Sequence, residues 1–428
     1  MNYIEKVNIK SFWGDKTVNI KFKKQENFLI GVNGSGKTTI INLIVSVLDA
    51  NFNVLDNAQF DSIAIFLTPT EKKKKKSRIV VTKKDNENTP FQSILYQIYE
   101  GRTMIFDILL DELAEERIYR QRDLEFERYR RLRKQNIHKK DLQSLLNSLY
   151  TTTWLSVHRA NFNSNQREEK NRSSLVDVKL KEFSRNFTEY LNEIGRDSKL
   201  KTDEFQKYIF LSLISSETKS QIYQTLDKID IEKEKESLAK IYTLFNLTNE
   251  EYGSQLDDYA KLFSKSYDKR KNETLSFTDA EYLIGMKRIH SVIQQWEELL
   301  MKQGSINKYK DTFMSLINDL LQRKKLIINE RNELEVQTQS GKEFDLNFLS
   351  SGEKQLVIIF GETLLQKSKP HIFIADEPEL SLHIEWQEKL VSSLKLLNPY
   401  AQMIFATHSP DVVSNYQESV INIENCIS

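Results

Sequence analysis

The 6 prolines of this chain are Pro69, Pro90, Pro370, Pro378, Pro399 and Pro410, so residues 91–369 contain none. Average usage of about 5% would put roughly 14 prolines in a stretch of that length. Inside a helix a proline removes one hydrogen bond and clashes with the preceding turn, so a long proline-free run favours helix. Collagen-like, Pro-rich disordered and loop-dominated all-β architectures therefore fit poorly. The expected plan is a long, mostly helical middle between flanking segments with more turns.

The flanks read differently from the middle. Ile4, Val7 and Ile9 lie in one strand-like piece, Val18, Ile20 and Phe22 alternate in the next, and Phe28–Ile30 runs apolar into glycines. A helix is expected over 37–48, and strands at Ser62–Leu67, Arg78–Thr82 and Ser93–Ile98. From about Phe106 to Tyr150 the period is helical, ending in a short apolar piece, Trp154–Val157. In the middle, Leu256, Tyr259, Ala260, Phe263 and Tyr267 share one helical face, as do Ile289, Val292, Ile293, Trp296, Leu299 and Leu300. Phe313, Leu316, Ile317, Leu320 and Leu321 repeat the pattern, with breaks expected near Gly195, Thr248–Gly253 and Gly304. No strict heptad is sustained, which allows packed helices or an irregular coiled-coil arm. After Arg323, strands at Lys325–Glu330, Glu333–Thr338 and Glu343–Leu346 turn at Asn332 and Ser340–Gly341. Helix, buried strand, helix, strand and a final strand at 419–424 then complete an α/β alternation.

The totals set limits. At 428 residues, one large domain or two to three smaller ones is expected. With 62 Lys+Arg against 61 Asp+Glu, nothing draws the whole chain to nucleic acid or membrane, so such binding must come from local patches. The lone Cys426 cannot form an internal disulfide, and the N-terminal residues do not read as a signal peptide. Apolar runs such as Leu356–Phe360 and Ile41–Leu48 fall far short of the roughly 20 residues that span a bilayer. These features predict a soluble, cytoplasmic protein.

Four short motifs carry chemistry. Gly31, Gly36, Lys37 and Thr38 fit G-x-x-x-x-G-K-[ST] between an apolar strand and a helix. Glycines let backbone N–H groups turn toward phosphates at the positive helix end, Lys37 can reach β/γ phosphates, and the Thr38 hydroxyl can ligate Mg²⁺. Asn33, Gly34, Ser35, Gly36, Lys37, Thr38 and Thr39 are the phosphate-binding candidates. His371–Asp376 is an apolar strand ending in acids, the expected place for a Mg²⁺ ligand, Asp376, and for a group that orients or deprotonates water, Glu377. Without the first motif both acids would read as exposed strand-end residues. Ser350, Ser351, Gly352 and Glu353 head a helix, with Ser350 and Glu353 suited to a capping box and the helix start to an anion. His408, in Ala406–Pro410, directly follows another apolar strand.

In this order the motifs resemble those of the ABC-type ATPase superfamily: Walker A at 31–38, signature at 349–353, Walker B at 372–377 and switch histidine at 408. The signature departs from the usual L-S-G-G-Q at Ser351 and Glu353, and a glutamate there looks like the chromosome-maintenance, DNA-repair and OLD branches. Asp376–His383 resembles the D-loop of those branches. The resemblance implies an α/β head of two lobes, 1–159 and 325–428, split by a helical, coiled-coil-like insertion at 160–324. It implies ATP and Mg²⁺ as ligands, Glu377 as general base and His408 as γ-phosphate sensor. It also implies a sandwich in which Ser350 and Gly352 of one copy meet nucleotide held by Lys37 of another, with higher oligomers built from such dimers. The Q-loop glutamine stays unassigned. Phe12 and Trp13 sit where related proteins contact adenine, although core packing suits them as well.

The wide gap from Lys37 to Ser350 argues against a transporter subunit. The short stretch after His408 leaves no room for the TOPRIM nuclease of OLD-type proteins, so a nuclease or toxin effector is expected on a separate chain. This layout resembles bacterial anti-phage defence ATPases, the PARIS type first and the Septu type next; the alternative is a DNA-repair or chromosome-type ATPase acting on DNA. Two basic clusters, Lys72–Lys76 and Arg128–Lys140, are solvated surface or contacts for nucleic acid or an acidic phage protein.

Overall fold

The computed structural model describes residues 1–71, 74–84, 93–110, 141–156, 175–214, 226–227 and 229–428. They form two compact units, Met1–Tyr190 with Tyr309–Ser428, and Leu191–Lys308.

The first unit begins with β1 (Asn2–Phe12), β2 (Lys16–Lys21) and β3 (Glu26–Ile30), then α1 (Lys37–Leu48) and α2 (Phe52–Asn57). β4 (Ser62–Pro69), β5 (Ser77–Lys84), β6 (Ser93–Glu100) and β7 (Thr103–Leu110) follow, and β8 (Thr152–Ser156) closes this part. Six of these strands make an antiparallel sheet in the order β2-β1-β4-β5-β6-β7. Their alternation turns Val7, Ile9, Ile63, Ile65, Ile79, Val81, Tyr96 and Ile98 into one core, shared with Ile40, Ile41, Ile44, Val47 and Leu48 of α1. The Tyr96 and Tyr150 hydroxyls donate to the Val47 and Leu48 carbonyls at 2.7 and 2.8 Å, which ties the end of α1 to β6 and to the segment just before β8.

β7 corrects the helical reading at Phe106–Leu110; 111–140 lie outside the described residues, and 141–149 are helical as expected. Gly101, at φ +61°, reverses the chain, and pairing sets Ile98 opposite Phe106 and Tyr96 opposite Ile108. The completed hairpin overrides a local period that charged residues made look helical.

The long helices are α3 (Leu175–Ile214, 40 residues) and α6 (Phe277–Leu320, 44 residues), with α4 (Ile231–Leu244) and α5 (Asn249–Lys271) between them. Each long helix begins in one unit and ends in the other. Neither breaks at Gly195 or Gly304, contrary to expectation. One glycine costs about 1 kcal/mol in a helix, too little to stop a run of good helix formers. The break near Thr248 is present, where a capping box of Thr248 and Glu251 starts α5. In the second unit Leu226, Phe263, Leu283 and Met286 form a small core. Beside it the Glu234 carboxylate, 5% exposed, accepts the Tyr259 hydroxyl at 2.7 Å and bonds His290 Nδ1.

In the first unit the chain goes on through β9 (Lys324–Ile328), β10 (Leu334–Thr338) and β11 (Glu343–Asp345), an antiparallel sheet with Asn332 and Gly341 at positive φ in its turns. Then come α7 (Ser351–Leu365), β12 (His371–Asp376), α8 (Ile384–Leu397), β13 (Ala401–Ala406), α9 (Pro410–Val413) and β14 (Val420–Asn422). The order β14-β3-β13-β12-β8 is wholly parallel and mixes strands from both sides of the insertion, with β3 between β14 and β13. Ile372–Ala375 and all of β13 are buried, as strands covered on both faces must be. The architecture is α/β, with a helical insertion between the two sequence segments that build the head. Among the described residues no helix is long and apolar enough to cross a membrane.

Candidate functional site

Register in the parallel sheet sets the site. Asp376 of β12 pairs with Ala406 of β13, and Ala406 pairs with Leu29 of β3, so three strands end within one residue of one row. Beyond that row lie the loop at Gly31, the acid Glu377 and the Thr407–His408 turn. The Glu377 N–H donates to the Ala406 carbonyl at 2.8 Å and the Thr407 N–H to the Leu29 carbonyl at 3.2 Å, extending the sheet by one residue. The carboxyl edge of such a sheet is where ligands bind.

Gly34 and Gly36 adopt φ of +84° and +93°, a region closed to most side chains. Gly36 has a second reason to be glycine: a Cβ there would meet Trp13 at 3.0 Å and Phe12 at 3.2 Å. It precedes α1 without any side-chain cap, which leaves the first N–H groups of that helix to a ligand. Lys37 is 6% exposed, and its ammonium donates to the Gly31 and Val32 carbonyls at 2.8 and 3.1 Å. Burial pushes its pKa down, while Glu377, Asp376 and Glu424 pull it back up. The buried Ser35 Oγ has no partner among the described residues. Asn33 and Gly34 are exposed; Thr38 and Thr39 are half-buried in the first turn. A loop with turned glycines, a buried lysine and an unpartnered hydroxyl fits a polyphosphate. Thr38 Oγ1 donates to Asp376 Oδ1 at 3.2 Å, and this hydroxyl–carboxylate pair matches the hard oxygen donors that Mg²⁺ takes.

Phe12 is fully buried, so packing accounts for it. Trp13 stacks on it with ring centroids 4.5 Å apart and remains 41% exposed.

Glu377 has φ +51°, a strained value for a glutamate, and is half-buried. The imidazole of His408 is exposed.

At the head of α7, Ser350 and Glu353 form the expected capping box. Glu353 also holds Lys324 Nζ at 3.0 Å. Burial pushes the Glu353 pKa up, but the Ser350 N–H and Lys324 outweigh it and keep the carboxyl ionised below its ordinary range. Their hydrogen bonds stay within the box and with Lys324 and do not reach the loop at 31–38. Lys354 pairs with Asp177 of α3 at 2.8 Å. Gly352 could carry no side chain, since a Cβ would fall 2.3 Å from the Ser381 carbonyl. Gln355 Nε2 donates to the Pro378 carbonyl at 2.8 Å, so α7 packs on the segment that follows Glu377.

Several residues here escape sequence reading. Glu424 accepts the Val32 N–H at 3.2 Å, with nothing local to announce it. Lys324 and Asp177 gain their roles only across the fold. Glu379, buried beside the His408 turn, lies inside the D-loop-like stretch Asp376–His383, where nothing local marks it apart from the acids before it. Of the basic clusters, Lys74 pairs with Glu71 and Lys76 with Glu5, while 72–73 and 128–140 lie outside the described residues.

Residues 2–413 match the AAA ATPase domain family, and the chain belongs to it. One relative, named "Retron Vc95 probable ATPase", from Vibrio cholerae serotype O1 biovar El Tor, is 26% identical over 182 residues. That alignment takes in 36% of this chain and 35% of the relative, so the chain spans about a third of that protein's length. Among solved structures the chain is similar to the Smc head domain with an extended coiled coil bound to the C-terminal domain of ScpA, from Pyrococcus furiosus. Identity there is 14%, coverage 99% of this chain and 93% of that one, and the TM-score 0.43. The Smc head domain with a coiled coil and joint from Pyrococcus yayanosii matches at 15% identity, covering 99% and 95%, with a TM-score of 0.39.

Proposed function

We propose that this chain binds ATP with Mg²⁺ at the Gly31–Thr39 loop and hydrolyses it, and that nucleotide-dependent association of two heads controls a separate effector in anti-phage defence. The observation that carries the catalytic part is the shared strand-end row of Leu29, Ala406 and Asp376, with Lys37, His408 and Glu377 just beyond it. Lys37 and the open N–H groups of α1 would hold the phosphates. Thr38 and Asp376 would hold Mg²⁺, which supplies charge neutralisation on the phosphate oxygens. Glu377 would take the proton of the attacking water, and the exposed imidazole of His408 would face the γ-phosphate. Ser350, Ser351, Gly352 and Glu353, whose bonds do not run to the chain's own loop, suit a second copy's nucleotide. In this reading 1–159 and 325–428 build the head and 160–324 is the arm.

Membership of an ATPase family supports turnover, and similarity to a protein named as a retron ATPase supports a defence setting, of which a PARIS-type system is one form. Direct action on DNA is the alternative; it would use the exposed lysines at 74–76, whose surface ion pairs with Glu71 and Glu5 are weak. The test uses Glu377→Gln with ATP and light scattering. The variant should bind ATP, release phosphate at least about 100-fold more slowly and accumulate as a dimer. Wild-type turnover in this variant contradicts the general-base role, and an ATP-bound monomer contradicts the sandwich.

A further inference from the structure

We propose that Glu379 is a positioning residue that holds the His408 turn against the segment carrying Glu377. This assignment rests on the nucleotide reading above. Glu379 lies two residues beyond Glu377 and is 7% exposed. Its Oε1 accepts the Thr407 hydroxyl at 2.6 Å and the His408 backbone N–H at 3.0 Å, while its buried Oε2 has no partner among the described residues. A carboxylate removed from water is costly, and one with an idle oxygen costs more than a neutral residue would. What it supplies in return is a charged acceptor for two donors on consecutive residues, shorter and stronger than a neutral one.

The surrounding bonds act in the same direction. Ser409 Oγ donates to Gln387 Oε1 at 2.6 Å, and Gln387 Nε2 donates to the Leu382 carbonyl at 2.9 Å. The Ser409 N–H donates to Thr407 Oγ1 at 3.0 Å. Residues 407, 408 and 409 are thus each tied to the 379–387 segment or to one another. The imidazole between them is exposed. Its direction follows its backbone, which Glu379 helps to hold through the His408 N–H. On the far side the Pro378 carbonyl receives Gln355 of α7. A shift of the 377–383 segment therefore moves His408 with it.

A double-mutant cycle in the full chain tests this, with single-turnover hydrolysis, binding of a fluorescent ATP analogue and thermal melting measured on every variant. Glu379→Ala should slow hydrolysis about tenfold with nucleotide affinity unchanged, while the two stranded donors lower the melting temperature modestly. The Glu379→Ala/His408→Ala double variant should be no slower than His408→Ala, because both changes remove one contribution. Glu379→Gln, which keeps an Oε1 acceptor, should recover most of the loss. Should Glu379→Ala fail to fold, Gln387→Ala, at a half-buried position, runs the same cycle. Losses that multiply, a parallel loss of affinity, or a wild-type rate for His408→Ala each overturn the assignment. A Lys37→Ala control separates the two levels: full hydrolysis there overturns the nucleotide reading and this proposal with it. Multiplying losses beside an inactive Lys37→Ala overturn the Glu379 role alone.

Discussion

The carboxyl edge of the parallel sheet and the helical unit at Leu191–Lys308 solve the problem of placing side chains in different ways. At the sheet edge, residues are joined across long stretches of sequence: Thr38 meets Asp376, Thr407 meets Glu379, and Leu29, Ala406 and Asp376 share a row. In the helical unit, placement comes mainly from helix periodicity, with a small core around Leu226, Phe263, Leu283 and Met286 and a buried link from Glu234 to Tyr259 and His290. The edge tolerates strain, as at Glu377 with φ +51°, because pairing on both sides over-determines it. The difference teaches that the proposed site lies where placement is redundant, and that the helices give up such redundancy for length.

Perturbations should separate the two regions. The largest effect is expected from Lys37→Ala, which removes the buried cation of the loop. Phosphate release should fall by at least about 100-fold, checked beside a melting curve that rules out unfolding. If turnover persists, the edge is not the site.

Next comes the root of the helices. Phe313 packs against Phe183 and Phe187 with ring centroids 6.1 and 5.7 Å away, and all three are fully buried. Phe313→Ala should cost about 3–5 kcal/mol, read by denaturant unfolding.

A smaller and more local loss is expected from Glu234→Ala, which strands Tyr259 and His290 without their shared acceptor. About 1–3 kcal/mol should be lost, seen as faster hydrogen exchange in α4–α6 with the sheet edge unchanged. Equal loss of protection at the edge would mean the two regions unfold as one.

The smallest effect is one of pH. Burial holds the His371 imidazole, at the start of β12, down at about 4 against an ordinary 6.5, and its Nε2 lies 2.7 Å from Thr153 Oγ1. Between those values the unfolded chain binds a proton that the folded chain refuses, so acidification favours unfolding. The melting temperature should fall as pH drops from 6.5 toward 4. His371→Gln should flatten that slope, and an unchanged slope would assign the effect elsewhere.

Much of the head was readable without its structure. α1 spans the residues expected of it, β12 and β13 lie where apolar runs end in acids and in Thr407–His408, and Ser350 with Glu353 forms the anticipated cap. These are local signals: a glycine pattern, a run of buried residues, a box three residues wide. The misreadings share another cause. Phe106–Leu110 became strand because β6 was there to pair with it, and Gly195 and Gly304 stayed helical because their neighbours propagate helix through them.

By itself the sequence determined that a phosphate-type loop, a strand-end acid pair, a capped helix and a histidine turn all belong to an α/β head, and that a long proline-free helical stretch interrupts it. Those properties depend on backbone conformations and periods set within a few residues. Only the tertiary structure decided that β3 slots between β13 and β14, so that Asp376 reaches Thr38, and that Glu379 accepts two donors of the His408 turn. Pairing across hundreds of residues is chosen by which strands bury each other. That choice is a property of the closed sheet and not of any segment in it.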